Sequence, residues 1–278
     1  AGADAVQCRF FEAGQCGSCT LMPVPHPRQV ADAQAALEAA ISGAPAIEWL
    51  PPIVSEPWAF RTKAKMAVAG TAAAPVLTFP GGNPDVDLAQ CPLYPRLVTE
   101  VLESAREVIR RAQVPPYSRE TRRGEVKYVL VTASETEALV RFVLRSDSAL
   151  PRIREHLDKL DPRAVSVSAN IQPAHAAIIE GDTDIQLAGA DRLRMPVGPV
   201  ALGVLPRSFT QTNTAVAAQL YAQVADWLLD EGGSRAWDIF CGVGGFGLTL
   251  AHAARERGTP ITVHGVETVS YTHLTLPT

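Results

Sequence analysis

Apolar residues recur along this chain at two spacings, and each spacing predicts a different kind of element. Apolar side chains three or four positions apart predict amphipathic helices over residues 30–41, 96–113 and 213–231, because such positions share one helix face. Asn213 suits the N-cap of the third helix. The proline-rich segment 22–27 predicts a stiff connector ahead of the first helix.

Alternation of apolar and polar residues predicts a strand over residues 60–70. One face of this strand is apolar, and the other carries three cations that suit a phosphate backbone: Arg61, Lys63 and Lys65. A solvated face of an antiparallel sheet explains the same pattern without any ligand.

A β-rich run over residues 126–133 pairs naturally with residues 138–145, and the alternation there leaves Arg141 and Arg145 exposed. A second group of cations precedes and enters this run, and it includes Arg122, Arg123 and Lys127. Two such groups together favour contact with RNA or DNA more than either group does alone.

The pattern changes near residue 200, from short strands with interspersed helices to a β-α-β order. Before the change, residues 164–187 predict two or three strands, and His175 is expected to be packed or hydrogen-bonded rather than a metal ligand. The sequence therefore predicts an α/β protein with an α+β domain over residues 1–200, the start of a Rossmann-like domain over residues 201–267, and an atypical tail over residues 268–278.

A glycine-dense turn joins the first strand of the β-α-β unit to an alanine-rich helix. Gly242, Gly244 and Gly247 let the backbone approach a ligand closely, and the helix start offers unpaired N–H groups. Glu267 follows the second strand, about 20 residues after the glycines, where an open α/β sheet places the carboxylate that holds a ribose diol. The turn is thus expected to bind a nucleotide cofactor.

The charge beside this turn bears on which cofactor it takes. Asp238 would repel the pyrophosphate of a dinucleotide, whereas a carboxylate favours the sulfonium and ammonium groups of S-adenosylmethionine. We therefore expect S-adenosylmethionine, with a dinucleotide and a ligand-free glycine turn as the alternatives.

The composition allows a large core and indicates no membrane segment. The chain has 278 residues, of which 47% are apolar, and this length suffices for two domains. Its net charge of −4 neither indicates nor excludes nucleic-acid binding. No apolar run approaches the roughly 20 residues that cross a bilayer, and no signal peptide is evident, so we expect a cytoplasmic protein.

Four of the five cysteines form a pattern of C-x7-C-x2-C followed much later by Cys-Pro: Cys8, Cys16, Cys19 and Cys91. Grouped thiolates in a reducing compartment most often hold a metal. Zinc and a [4Fe–4S] cluster both accept four thiolates, and the spacing does not choose between them. Separate buried cysteines are the remaining alternative.

Five segments in one order give the chain a family resemblance: the cysteine pattern, F-R-T-K-A-K-M at residues 60–66, C-P-L-Y-P at 91–95, S-F-T-Q-T-N at 208–213 and D-I-F-C-G at 238–242. Together they resemble the RNA 5-methyluridine methyltransferases, and most closely the bacterial members that act on 23S rRNA. The resemblance runs from about residue 6 to residue 267. It is specific as a set, although no single segment is.

The resemblance implies a [4Fe–4S] cluster on the four cysteines and S-adenosylmethionine contacts at Gln211, Phe240 and Glu267, beside Asp238 and the turn glycines. It implies 23S rRNA as the partner, no membrane and no obligate protein partner. A tRNA substrate, or a metal-bearing RNA-binding module without catalysis, is the alternative.

Methylation at C5 of uracil requires two residues that we do not find in this sequence. C5 is a weak nucleophile, so such enzymes add a cysteine thiolate to C6, methylate C5 and then remove its proton with a base. In the family both residues lie well after the glycine turn, and we expect them beyond the end of this chain. Cys241 lies inside the turn and is interpreted as a packed residue. We therefore expect this chain to be truncated and inactive, with uncovered apolar faces in its unfinished sheet.

Overall fold

The computed structural model describes residues 7–43 and 47–268, so nearly all of the predicted tail lies outside the described residues. Six α-helices are present in these ranges: α1 (Arg9–Glu12), α2 (His26–Ala40), α3 (Arg96–Arg111), α4 (Leu150–Glu155), α5 (Thr214–Asp230) and α6 (Gly245–Glu256). Ten strands accompany them: β1 (Lys63–Gly70), β2 (Pro75–Thr78), β3 (Val126–Ala133), β4 (Ala138–Leu144), β5 (Ala164–Ile171), β6 (Thr183–Gly189), β7 (Leu193–Val197), β8 (Val200–Val204), β9 (Arg235–Ile239) and β10 (Thr262–Val266). The predicted mixed α/β class is confirmed.

Strands β1 to β6 form one sheet in the order β2-β1-β3-β4-β5-β6. All its neighbours are antiparallel except β4 and β5, which are parallel. The predicted pairing of residues 126–133 with 138–145 is confirmed. Since paired residues lie side by side on one face, the register across the sheet assigns every side chain of these strands to one of two faces.

One face of this sheet is apolar and is covered by α3. The helix buries one side in the same core cluster as alternate residues of β1, β3 and β4, among them Met66, Val129 and Phe142. Its predicted range of 96–113 agrees with the observed range to within two residues, and the alternation predicted for β1 also holds. The apolar periodicity of α3 thus correctly predicts which side of the helix packs against the sheet.

The opposite face, which we call the polar face, is defined by these residues: Lys63, Lys65, Ala67, Tyr128, Leu130, Thr132, Leu139, Arg141, Val143, Ser166, Ser168 and Asn170. The prediction that Arg141 is exposed is wrong, because its side chain is fully buried. Arg141 forms ion pairs with Glu180, in the loop between β5 and β6, and with Asp184, in the neighbouring strand β6. The polar strand position of Arg141 thus holds a buried guanidinium that is paired with two partly exposed carboxylates.

Helix α2 departs from the prediction in two ways. It begins at His26, ahead of the predicted start, because Pro27 is tolerated in the first turn of a helix, where its missing N–H has no partner to lose. None of its residues is buried, and the apolar Leu37 is 52% exposed. The amphipathic spacing therefore predicted the helix correctly, although the described residues bury no part of it.

The C-terminal elements form a smaller assembly. The antiparallel hairpin β7–β8 packs against α5 and α6 in a separate core cluster, and β9 and β10 form a parallel pair joined through α6. The predicted β-α-β order and the predicted cap are both confirmed, since the Asn213 side chain accepts a hydrogen bond from the Val216 amide at 3.1 Å. Within the described ranges, no helix is both long and apolar enough to cross a membrane.

Candidate functional site

The glycine turn lies between β9 and α6, at the carboxyl ends of the two parallel strands. Three of its residues have positive φ: Phe240 at 62°, Gly242 at 52° and Gly244 at 80°. Gly244 is the N-cap of α6, so the first N–H groups of that helix face the turn. The side chain of Phe240 is 76% exposed. A left-handed phenylalanine is rare, and such strain is concentrated at functional sites.

Asp238, in strand β9, holds the turn through a hydrogen bond of its side chain. Its Oδ2 accepts a hydrogen bond from the amide of Gly247 at 2.9 Å, which ties the end of β9 to the first turn of α6. A Cβ on Gly247 would lie 3.1 Å from that same oxygen, so a side chain there would push the Asp238 carboxylate by a few tenths of an ångström. Burial raises the pKa of the Asp238 carboxyl above its usual value. The carboxylate is therefore partly desolvated, and a nearby cation would stabilise it.

Glu267 closes the turn from the end of β10. Its Oε2 accepts a hydrogen bond from the Gly242 amide at 3.0 Å, and its Oε1 accepts one from the Thr268 amide at 2.7 Å. The structure thus brings together five of the six predicted cofactor residues around one loop: Asp238, Phe240, Gly242, Gly244 and Glu267. A carboxylate oxygen can accept more than one hydrogen bond, from backbone amides or from hydroxyl groups.

Helix α5 packs against the first turn of α6, directly after the glycine turn. The ring of Tyr221 lies edge-on to Phe246, with 4.5 Å between the ring centroids. A Cβ on Gly245 would come within 2.5 Å of the Tyr221 ring, so this glycine permits the close packing of α5 and α6. Sequence reasoning did not single out Tyr221 or Gly245, because neither signal is visible until the two helices are packed together.

Cys241 is buried within the turn, as predicted. Its amide donates to the Val266 carbonyl at 3.1 Å, which holds the turn against β10. Burial, and then the charges of Asp238 and Glu267, raise the pKa of its thiol. A buried thiol beside two carboxylates is a poor nucleophile, so the structure agrees with its interpretation as a packed residue.

Gln211 is exposed in the segment between β8 and α5, and this segment is anchored to β1. The amide and the hydroxyl of Thr62 both donate to the Thr212 carbonyl, at 2.8 Å and 2.9 Å. The Lys63 ammonium donates to the Ser208 carbonyl at 3.2 Å. These bonds fix the backbone on both sides of Gln211 relative to the polar face of the large sheet.

The four clustered cysteines approach one another at the edge of the main core. Cys8 and Cys91 are buried members of the core cluster, and Cys16 and Cys19 pack against it. Burial raises the pKa of the Cys91 thiol to about 11, with smaller contributions from the other three thiols. Among the described residues, however, no group of three or more cysteine, histidine or acidic side chains is arranged to hold a metal ion. The metal site therefore stays a prediction.

The three residues of the first predicted basic group differ in their exposure to solvent. Arg61 and Lys65 are exposed. Lys63 is half-buried through its contact with Ser208, and burial, followed by the charge of Lys65, lowers its pKa. Arg61 and Lys65 are thus accessible to a polyanion, and Lys63 serves a structural contact.

The second basic group requires a correction at Lys127. Arg122 and Arg123 are exposed in the turn that precedes β3, as expected. Lys127 is only 7% exposed, and its ammonium donates to Gln172 and to the Ala174 carbonyl. The surface position assumed for Lys127 is therefore not observed, because the loop after β5 covers it, and its contact with RNA stays a prediction.

The same loop places His175 differently from the prediction. His175 is exposed and lies in the loop that follows β5, outside any strand. Its Nδ1 lies 3.0 Å from the Tyr117 hydroxyl, so the expectation of a hydrogen-bonded histidine is confirmed. Both residues line a cavity of about 560 Å³ on the polar face, which sequence reasoning missed entirely. Tyr117 carries no recognisable signal in the sequence.

Comparison with known proteins gives curated relatives over almost the whole chain. The 23S rRNA (uracil(747)-C(5))-methyltransferase RlmC of Shewanella amazonensis is 44% identical over 269 residues, which cover 94% of this chain and 68% of that protein. The enzyme of the same name from Halothiobacillus neapolitanus is 40% identical, covering 93% of this chain and 69% of that protein. The chain matches no protein-family model.

A solved structure shares the fold. The tRNA (uracil-54, C5)-methyltransferase of Pyrococcus abyssi, solved in complex with S-adenosyl-L-homocysteine, superposes with a TM-score of 0.72 at 21% identity. The match covers 93% of this chain and 60% of that chain, so this chain spans three fifths of its length. The resemblance drawn from the sequence motifs is confirmed by the curated relatives: the chain belongs to the RNA uracil-C5 methyltransferase family.

Proposed function

We propose that this chain binds S-adenosylmethionine at the glycine turn and serves the methylation of C5 of a uridine in 23S rRNA. One observation carries the proposal: Asp238 and Glu267 bracket a single turn and hold its amides, at Gly247 and Gly242, from the ends of two parallel strands. Ligands of open α/β sheets bind at the carboxyl ends of such strands. The names of the 23S rRNA relatives supply the substrate class.

Each residue has a distinct part in binding the cofactor. Glu267, at the end of β10, accepts hydrogen bonds from the ribose hydroxyls. Asp238 supplies negative charge near the sulfonium and ammonium groups, and binding these cations offsets the desolvation that raises its pKa. Phe240 presents an exposed ring, and Gln211 an exposed amide, for contacts with the ligand. A dinucleotide fits less well because its pyrophosphate would approach Asp238.

The chemistry of methyl transfer follows from the electronics of uracil. A thiolate adds to C6, the resulting enolate attacks the methyl group through C5, and the sulfonium leaves as a neutral thioether. A base then takes the C5 proton and the thiolate is expelled. We do not assign the thiolate to Cys241, which is buried inside the turn with a raised pKa. The target uridine must leave its stack to reach the donor.

We propose a [4Fe–4S] cluster on Cys8, Cys16, Cys19 and Cys91. Support comes from their shared position: all four pack in or against one core cluster, and each of the other three influences the pKa of Cys91. Among the described residues, these thiols do not form a group that could hold a single metal ion. A four-iron cluster binds each thiolate through a different iron, so its ligands lie farther apart than those of one zinc ion. Such a cluster, when bound, would join the N-terminal loop to the core.

Iron and sulfide analysis tests the cluster independently of activity. Protein purified without oxygen is expected to contain four irons and four sulfides per chain, because a [4Fe–4S] cluster has that composition. The Cys91→Ser variant should lose most of this iron. Cys241→Ser is the matched control and should retain it. Iron-free protein, or equal iron in both variants, would contradict the proposal.

We further propose that residues 1–200 carry the RNA-facing surface and residues 201–267 carry the cofactor unit. The exposed cations Arg61, Lys65, Arg122 and Arg123 support the first part. Packing of strand β8 against α6 supports the second part. No specific observation favours either alternative, a tRNA substrate or a non-catalytic RNA-binding module.

Titration calorimetry tests the cofactor assignment. The chain is expected to bind S-adenosylmethionine with one site, and S-adenosylhomocysteine should compete for it. Glu267→Gln should weaken binding about tenfold or more, since hydrogen bonds to a charged group contribute about 1.5–3 kcal/mol. Glu256→Gln, at the exposed end of α6, is the control and should bind normally. Binding of NADH in preference to S-adenosylmethionine would overturn the assignment.

A further inference from the structure

The cavity of about 560 Å³ on the polar face takes no part in the cofactor site. Ala67 and Tyr128, which are paired neighbours of β1 and β3, line it from the sheet. Three loops complete its wall, at residues 79–84, 116–120 and 175–177. We propose that this cavity binds a second nucleotide of the RNA, distinct from the uridine that is methylated. The inference rests on the proposed function, because it takes RNA to be the substrate.

Aromatic side chains give this cavity the chemistry of a base-stacking site. Tyr117 is half-buried, with its hydroxyl 3.0 Å from Nδ1 of His175 and the Lys127 ammonium 4.5 Å from its ring centroid. These two contacts fix the plane of the ring. Phe79 and Tyr128 line the cavity as well. Proteins bind unpaired RNA bases by stacking them on aromatic and histidine rings held in this way.

Cations beside these rings suit the phosphate of the same nucleotide. Arg119 lines the cavity, and its Nη2 donates to the Tyr128 hydroxyl at 2.9 Å. In the described part of the chain, Arg119, Arg122 and Arg123 form no ion pair with a carboxylate, whereas four arginines of α3 do: Arg96, Arg106, Arg110 and Arg111. Glu120 also lines the cavity and is the anion on its rim. The guanidinium charges near the cavity are thus available to a polyanion.

The turn that carries these arginines is held in one conformation. The amide of Ser118 donates to the Arg123 carbonyl at 2.8 Å, and the amide of Tyr117 donates to the Val126 carbonyl at 2.8 Å. Arg122 has a φ of 55°, which is uncommon for a residue with a side chain. Gly124 packs so tightly on the Pro116 backbone that a Cβ would collide with it. A preorganised turn loses little entropy when it binds a ligand.

The position of the cavity connects it to the cofactor site. It lies on the same face as Lys65 and Lys63, and Lys63 contacts the segment that leads to Gln211. Ala67 lies four positions after Lys63 in β1, which corresponds to about 13 Å along the strand. The exposed Lys65 lies between them. One single-stranded RNA loop can therefore occupy the cavity and pass the exposed Lys65 toward the segment that contains Gln211.

Fluorescence anisotropy with a labelled, short, single-stranded RNA of mixed sequence tests this inference on the full chain. Tyr117→Leu removes the stacking ring and should weaken binding about tenfold. Tyr117→Phe keeps the ring but loses the hydroxyl contact with His175, and it should bind almost normally. Arg119→Gln should lower the salt dependence of binding by about one counterion. Trp227→Leu and Arg111→Gln change an exposed ring and an exposed arginine elsewhere, and should leave binding unchanged.

Photocrosslinking keeps the test decisive if Tyr117→Leu fails to fold. RNA that contains 4-thiouridine should crosslink the unaltered chain within residues 116–120 or 173–177, as located by mass spectrometry. Crosslinks confined to other segments, together with normal RNA binding by the cavity variants, would refute the second-nucleotide site and leave the proposed function standing. Failure of the chain to bind RNA at all would instead refute the proposed function. Competition by free AMP or UMP without any effect of the variants on RNA would show a free-nucleotide site and overturn the inference.

Discussion

The central strands of the large sheet and the strands beside the cofactor turn differ in how deeply they are buried. Every residue of β3 and β4 is buried, whereas β9 and β10 contain no buried residue. Trp237 and Ile239 of β9 are 65% and 62% exposed. The large sheet is therefore defined by packing on both faces, and the cofactor turn is defined by local hydrogen bonds and glycine conformations.

This difference indicates which changes each region tolerates. In the large sheet, the loss of volume or of a buried charge partner has no nearby solvent to compensate it. At the turn, the bonds from Asp238 to Gly247 and from Glu267 to Gly242 fix the backbone even though the strands are exposed. Stability is thus concentrated in the first region, and ligand-binding geometry in the second.

The largest expected effect is at the buried ion pairs of the polar face. Arg141→Met should destabilise the protein by about 3–5 kcal/mol, because it removes a fully buried charge that pairs with the partly exposed carboxylates of Glu180 and Asp184. Urea unfolding measures the change. Arg111→Met is the matched control at an exposed position of α3 and should cost less than about 1 kcal/mol. Equal effects of the two variants would show that burial of Arg141 does not determine its contribution.

The second prediction compares the two kinds of strand directly. Leu144→Ala at the fully buried end of β4 should cost about 2–5 kcal/mol through lost burial and a cavity. Ile239→Ala in the exposed β9 should cost no more than about 0.5 kcal/mol. Thermal and urea unfolding of both variants provides the comparison. A large loss for Ile239→Ala would mean that β9 is packed in solution.

The third prediction concerns the response of the turn to pH. Burial raises the pKa of Asp238 in the folded protein, so between that value and its unfolded value of about 3.8 the folded state binds the extra proton. The contribution of Asp238 to folding stability therefore falls as pH rises through this window. Cofactor affinity should change in the opposite sense, because only the ionised carboxylate attracts the cationic ligand.

Calorimetry across this pH window checks the response. The unaltered chain should lose S-adenosylmethionine affinity as pH falls through the raised pKa of Asp238. Asp238→Asn should bind more weakly throughout and lose that pH dependence. A pH profile unchanged by the substitution would assign the titration to another group and remove Asp238 from the cofactor site.

The smallest expected effect is at the start of α5. Asn213→Ala removes the cap hydrogen bond to Val216 and should cost about 1 kcal/mol. Asn213→Ser keeps a capping oxygen and should recover most of that loss. Circular dichroism during thermal unfolding measures both variants. No difference between Ala and Ser at this position would show that the cap contributes little to α5.

Local signals in the sequence predicted much of this fold. The apolar periods located α3 and α5, and Asn213 marked the start of α5 because its capping bond spans only three residues. The β-α-β unit followed from the glycine turn and its flanking strands. Glu267 was identified from its distance after the glycines, and it lies against Gly242 in the structure.

The errors share one physical cause, which is coverage by a segment distant in sequence. Arg141 and Lys127 both occupy polar or surface-like positions in their strands, yet the chain between β5 and β6 covers them. His175 was assigned to a strand although it lies in that same covering segment. Strand alternation predicts which face a residue occupies, and it contains no information on what later packs against that face.

A crystal structure of the chain with S-adenosylmethionine tests the central claim most directly. We expect the ribose hydroxyls to lie within hydrogen-bond distance of the Glu267 carboxylate, with the sulfonium nearer to Asp238 than the adenine is. Glu267→Gln crystals provide the control and should show lower cofactor occupancy. A cofactor bound away from the turn, or no binding at saturating concentration, would contradict the account.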